Sequence, residues 1–270
     1  MKKGQMLKPK IKIIGVDILQ KRMIKIPYDY RKGGEFLIEI GERYYPVDER
    51  LLNKVGDYLV SKLGFFGDYE IKKITYETKT NLWDFPGEFN LKRNELINKV
   101  IKEARDGRRA DKEIEEILND ESFMPVIGGH RLQRELESKD LKPNKTTDVI
   151  ALIGLDRLAD DSIMSIVLNS NIGEGIFYAD RLAGAGDKIP ICSFEAYRNI
   201  IKETSNKEIS DEESAIGIVL HELIEHHFPE FVKRLNKHEG CCLTHPPTSS
   251  LICDECMGKL KGMMEKFRTS

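Results

Sequence analysis

A chain of 270 residues is long enough to bury a substantial core, and 40% hydrophobic with 33% charged side chains is the balance of an ordinary globular protein. Its 43 basic and 45 acidic residues leave a formal charge of -2, which removes any general electrostatic reason to expect nucleic acid or an anionic membrane as partner. The most apolar N-terminal run, 11–16, is interrupted by Lys12 and is too short for a signal sequence or a membrane span, so a cytoplasmic protein is expected.

Residues 10–17 alternate loosely and read as a strand, and 35–40 followed by 43–46 predicts a hairpin after the Gly33–Gly34 turn. Asp48 then caps a helix reaching Leu63, with Leu51, Leu52, Val55, Tyr58, Leu59 and Leu63 on one stripe. Residues 69–76 return as a strand. After a turn at 83–87, whose Trp83 reads as a packing residue, 91–104 predicts a helix. The charged run 106–118, with a break around Asp106 to Arg109, reads as a solvated helix face. Residues 147–155 are continuously apolar and rich in β-branched side chains, the pattern of a strand covered on both faces; Asp156, Asp160 and Asp161 at its exit are better placed to start a helix than to bind calcium. Segments 175–180 and 188–193 read as two more strands. The glycine-rich loop between them lacks the lysine and hydroxyl residue of a phosphate-binding loop, so it is read as a hairpin.

Candidate chemistry is concentrated in the last fifth of the chain, which holds most of the 6 histidines and 5 cysteines. Ser210 with Glu213 forms a capping box for a helix over 211–228, closed by Pro229. On it His221 and Glu225 share one face, and Glu222 and His226 form a second pair about 100° around. A zincin helix carries HExxH, two histidines to hold zinc and a glutamate to take a proton from zinc-activated water; here the fifth position is Glu225, itself a possible zinc ligand that adds negative charge. Glu222 with His226 also reads as a surface ion pair, and His227 with Phe228 as belonging to the buried side near the helix end.

The cysteines form a second constellation. Cys253 and Cys256 make a CxxC preceded by Cys241-Cys242-Leu243-Thr244-His245, which offers four soft ligands for a structural zinc on two short loops. Cys242 joins Cys253 and Cys256 either with His245, as a CxxH, or with the adjacent Cys241, and the fourth ligand is left open between Cys241 and His245. Cysteines at metal-ligand spacing fit a reducing compartment better than a disulfide framework.

The order of these elements resembles the archaemetzincins, zinc-dependent metallopeptidases. The resemblance rests on the strand 148–155 ending in Asp156, on 175–179, on 189–194, on the helix bearing His221 and Glu222, and on segment 85–94 ahead of the second helix. The family motif HExxHxxGxxH, followed by a cysteine, Cys-x-Met and CxxC, is matched at His221, Glu222, Cys253 and Cys256. Glu225, Phe228, Phe231 and Thr244 replace the second histidine, the glycine, the third histidine and the Met-turn methionine.

The resemblance implies an α+β, metzincin-like fold: a mixed twisted sheet packed on helices that include an active-site helix, with a C-terminal zinc-binding segment. It implies one metallopeptidase-like domain over 1–270, divided into a variable N-terminal region over 1–146, core strands and active-site helix over 147–236, and a cysteine-rich tail over 237–270. Peptide hydrolysis is then expected, with His221, Glu225 and His238 on a catalytic zinc, Glu222 as general base, and the peptide along edge strand 175–180. Four of Cys241, Cys242, His245, Cys253 and Cys256 would hold the structural zinc. Two other expectations stand beside it: an inactive zinc-stabilised scaffold of the same fold that binds a peptide or protein partner, and a redox protein using Cys253 and Cys256.

Overall fold

The structure, a computed structural model, describes residues 8–29, 34–81, 91–119, 127–139, 141–144, 146–154, 158–159, 189–228, 230–231, 240–243 and 247–267. Its centre is a five-stranded mixed sheet built on β1 (Lys10–Asp29). On one side β1 pairs in parallel with β3 (Asp68–Asn81) along 10–23. On the other it pairs in parallel with β5 (Thr147–Ile153) over 10–15, and from Ile18 onward antiparallel with β2 (Gly34–Tyr45). β5 in turn pairs in parallel with β7 (Ile191–Ser193). β4 (Ile127–Gly128) and β6 (Leu158–Ala159) form a separate two-stranded ladder. The expected mixture of helices around a mixed sheet is present.

Two strands depart from the sequence expectation. β1 runs 12 residues beyond Asp17, because β2 and β3 flank it and satisfy its backbone on both edges. Its polar extension hid this: Gln20 and Arg22 lie at inward positions, and buried Arg22 donates through Nη1 to the Ile117 carbonyl at 2.6 Å and through Nε to Gln20 at 3.2 Å. The segments 35–40 and 43–46 do not fold on each other. Residues 35–40 and 43–45 all belong to β2, with a register irregularity opposite Arg22 and Met23, and the hairpin is β1 with β2.

Alternation along the strands divides the core into two layers. Ile11 and Ile13 of β1 and Ile150 and Leu152 of β5 face one layer, while Ile14, Val16, Ile18, Val149, Ala151 and Ile153 face the other. The second layer is covered by Leu132 and Leu136 of α4 (Gly129–Ser138). The first is covered by α1 (Glu49–Asp57), extended as a π-helical turn over Tyr58–Leu63, and by α5 (Phe194–Ser205), α6 (Asp211–His227) and α7 (Asp254–Phe267). α2 (Leu91–Arg105) and α3 (Asp111–Asn119) match the predicted helix and charged run. Asp48 caps α1 as expected, accepting from the Arg50 N–H at 2.9 Å.

Asp17 is a buried carboxylate at the turn from β2 into α1. It accepts from the Val47 N–H at 2.8 Å and the Tyr44 hydroxyl at 2.6 Å, and pairs with Lys73 at 3.1 Å. Three donors from three segments fix where α1 begins.

Helices α4, α5 and α7 were not anticipated. α5 follows β7 without a loop, because Ser193 is both the last strand residue and an N-cap accepting from the Ala196 N–H at 3.2 Å. The strand 175–180, the loop 182–187, Trp83 and the acidic residues 156, 160 and 161 lie outside the described residues.

Helix α6 is drawn unusually close to the segment that follows it. A Cβ on Gly217 would stand 2.8 Å from the Ser250 carbonyl oxygen and 2.7 Å from Tyr197 Cε1. Alanine normally favours a helix interior over glycine by about 1 kcal/mol. Here Gly217→Ala is expected to lower stability by about 1–3 kcal/mol, since backbone and a buried ring must both give way. A denaturant titration of the two proteins checks the sign.

Candidate metal centres

Helix α6 begins with the predicted capping box: the Glu213 N–H donates to Ser210 Oγ at 3.2 Å, and the Ser210 N–H donates to Glu213 Oε2 at 2.9 Å. Three acidic residues in its first turn suit the positive end of the helix dipole. It ends where expected, the Phe228 N–H closing on the Ile224 carbonyl at 2.7 Å. The phase so fixed buries Ala215, Ile218, Val219 and Leu223 and carries His221 and Glu222 inward with them. His221 is 4% exposed, Glu222 2% and the Glu225 side chain 12%. The charge of Glu222 is felt by its buried neighbours: after burial, it is a cause that lifts the Cys192 thiol well above the ordinary range, and it adds to the burial and the charges of Cys242 and Cys241 that raise the Tyr197 phenol.

His221, Glu222 and Glu225 bring one donor atom each to within 4.8 Å of one another. The ring of His221 is oriented by Nδ1, 2.6 Å from the Cys242 carbonyl oxygen. A carbonyl only accepts, so Nδ1 carries the proton, and in the neutral ring Nε2 presents a lone pair. Nε2 lies 3.5 Å from Glu225 Oε2. Two lone-pair atoms facing each other in a buried site call for a cation between them, either a proton on the ring or a metal ion. The spacing suits a metal, because donors held ~2.1 Å from a tetrahedral ion stand ~3.4 Å apart.

The second group is Cys241, Cys253 and Cys256, whose sulfurs also lie within 4.8 Å of one another. A tetrahedral thiolate shell at ~2.3 Å sets sulfurs ~3.8 Å apart, so this cluster can hold a metal ion after a small contraction. All of these thiols are free of disulfides. The surroundings favour negative sulfur at Cys241. The Cys241 thiol is pushed down to about 5, chiefly by the hydrogen bond from the Cys242 side chain and also by the N–H groups of Cys253 and Leu243. Burial and the neighbouring sulfurs push Cys256 and Cys242 upward. Without a cation the cluster therefore concentrates its charge on Cys241, while Cys242 and Cys256 keep their protons.

Cys256 does not lie on a loop, as the sequence suggested. Cys253 occupies the N-cap of α7 and its Sγ accepts from the Cys256 N–H at 3.4 Å, so the CxxC is the first turn of a helix whose positive end faces the sulfurs. Asp254 and Glu255 after Cys253 were the available signal for that helix start. The opposite strand of the knot is tied by the Cys242 N–H on the Leu251 carbonyl at 2.9 Å and by the Gly240 N–H on Thr248 Oγ1 at 2.9 Å.

Among the remaining candidates, Cys242 lies beside the trio, contributing its carbonyl to His221 and its thiol to Cys241. His238 and His245 lie outside the described residues, as does the side chain of His226. His227 is not on the buried side: its Nε2 pairs at 3.0 Å with Asp148 of β5 and it is 36% exposed. The role of the Cys242 carbonyl escapes sequence reading altogether, since every residue has a carbonyl and only the fold aims this one.

Among the described residues no helix is long and apolar enough to cross a membrane. Comparison with protein-family models, with curated proteins and with solved structures finds no match.

Proposed function

We propose that this chain is a zinc metallopeptidase of metzincin-like build, with His221 and Glu225 as ligands of a catalytic zinc, Glu222 as its general base, and a structural zinc on Cys241, Cys253 and Cys256. The observation that carries the reading is the pair His221 Nε2 and Glu225 Oε2 at 3.5 Å, with the ring held through Nδ1 so that a lone pair faces the carboxylate. The succession of parallel β1, β3, β5 and β7 leading to the helix that bears the motif supports the fold assignment.

Zinc in that position supplies Lewis acidity toward a peptide carbonyl and toward a water. Glu222, buried beside it, takes a proton from the attacking water as its oxygen bonds the carbonyl carbon, and returns it to the amine as the C–N bond breaks. His221 and Glu225 fix the geometry. Glu225, as a carboxylate second ligand, would leave a bound ion less of its charge and would lower the rate. Glu225→His is therefore expected to raise hydrolysis by about tenfold or more, one factor of ten corresponding to about 1.4 kcal/mol in the barrier. The test is cleavage of an unfolded protein substrate by the zinc-loaded chain, followed by mass spectrometry of the fragments. Chelator-sensitive cleavage supports the reading.

One observation favours a second reading. His221 and Glu222 are almost fully covered, which suits a zinc-stabilised scaffold that binds a peptide or protein partner without cleaving it. In that case the loaded chain retains a peptide and leaves it intact.

A further inference from the structure

Resting on the assignment of a metal to His221, the structure carries a second step: the two metal centres are not independent. The peptide group between Cys242 and Leu243 touches both. Its carbonyl oxygen accepts the His221 Nδ1 proton at 2.6 Å, and its N–H, on Leu243, donates to Cys241 Sγ. The preceding peptide, between Cys241 and Cys242, is held from outside: its N–H, on Cys242, donates to the carbonyl of Leu251, two residues before Cys253. Cys242 and Leu243 are fully buried against α6, so any adjustment of this turn is passed to the core around His221.

We propose that the Cys242–Leu243 peptide couples the cysteine cluster to the His221–Glu222–Glu225 site, so that a metal ion on the cysteines raises the affinity of the second site for its own ion. An ion drawing Cys241, Cys253 and Cys256 together fixes the turn. The turn then holds the His221 ring in the tautomer that leaves Nε2 for a metal. Hydrogen bonds to both ends of one peptide polarise it in the same sense, which strengthens each. Linkage makes the effect reciprocal: the second ion tightens the first by the same factor. Cys242 acts here as a positioning residue through its backbone, while its side chain takes no part in binding the second ion.

The test uses the full chain. Cadmium, which prefers thiolates, fills the cysteine cluster, and cobalt is then titrated into the second site and followed by its visible absorption. The expected result is a cobalt affinity about 5- to 150-fold higher in the cadmium-loaded chain than in the metal-free chain. Nitrogen-15 NMR of the His221 ring provides a readout that simple structural support would not give: the Nδ1-protonated form should sharpen to a single tautomer when cadmium is added. Equal cobalt affinities, or a ring whose tautomer does not respond to cadmium, overturn the coupling. Cobalt that binds neither state, or that survives His221→Ala unchanged, overturns instead the assignment beneath it.

Discussion

Replacing Cys256 by serine is expected to release the metal from the cysteine cluster and to loosen the layer of core beneath it. Cys256 is fully buried in the first turn of α7, and its neighbours Leu260, Ile252 and Leu243 pack on α6 in the same hydrophobic cluster. An ion bound only by the folded chain adds about 4 kcal/mol when its free concentration stands roughly a thousandfold above the dissociation constant, and the variant forfeits that term. It also leaves the Cys241 thiolate without the ion that compensates its charge. The control is Cys192→Ala. Cys192 is equally buried but stands apart from the trio, so its loss should cost packing alone, with metal content unchanged. Zinc content and urea midpoints of the three proteins, measured with and without chelator, check the result. Equal midpoints for wild type and Cys256→Ser in both conditions would contradict it.

The second large effect is on the reaction. Glu222→Gln keeps the volume and the hydrogen-bonding reach of the side chain but cannot take a proton, so peptide hydrolysis should fall by about 10²–10⁴-fold in kcat. Bound zinc should remain, because His221 and Glu225 are untouched. His221→Ala behaves differently: activity and the second metal go together, and the Cys242 carbonyl loses its donor. A scaffold that only binds shows neither loss, and peptide affinity measured by fluorescence anisotropy would then be the property that survives in Glu222→Gln.

What the sequence made legible follows from where local signals are strong. The capping box at Ser210 and Glu213, the Asp48 cap and the apolar run of β5 act within a few residues, and each appears where the pattern put it. The part of β1 beyond Asp17 did not read as a strand because Gln20, Arg22 and Lys25 break the apolar alternation, and only the neighbouring strands and the Ile117 carbonyl make that segment extended. α5 was hidden by a residue with two roles, Ser193, and α7 by a CxxC spacing that suits a loop as well as a helix start. At the site, both donor groups could be read from spacing: i and i+4 on a helix for His221 and Glu225, and CxxC for Cys253 and Cys256. What spacing cannot encode is the contact between them, which depends on Gly217 admitting the Ser250 backbone and on the turn at Cys242 reaching back to α6.

The central claim is that two ions sit on one core, one held by Cys241, Cys253 and Cys256 and one by His221 with Glu225. Native mass spectrometry of the full chain purified with zinc tests it most directly. The account predicts two zinc ions per chain, of which His221→Ala removes one and Cys256→Ser depletes the other. A chain that carries no metal, or whose Cys253 and Cys256 are joined as a disulfide, would contradict it.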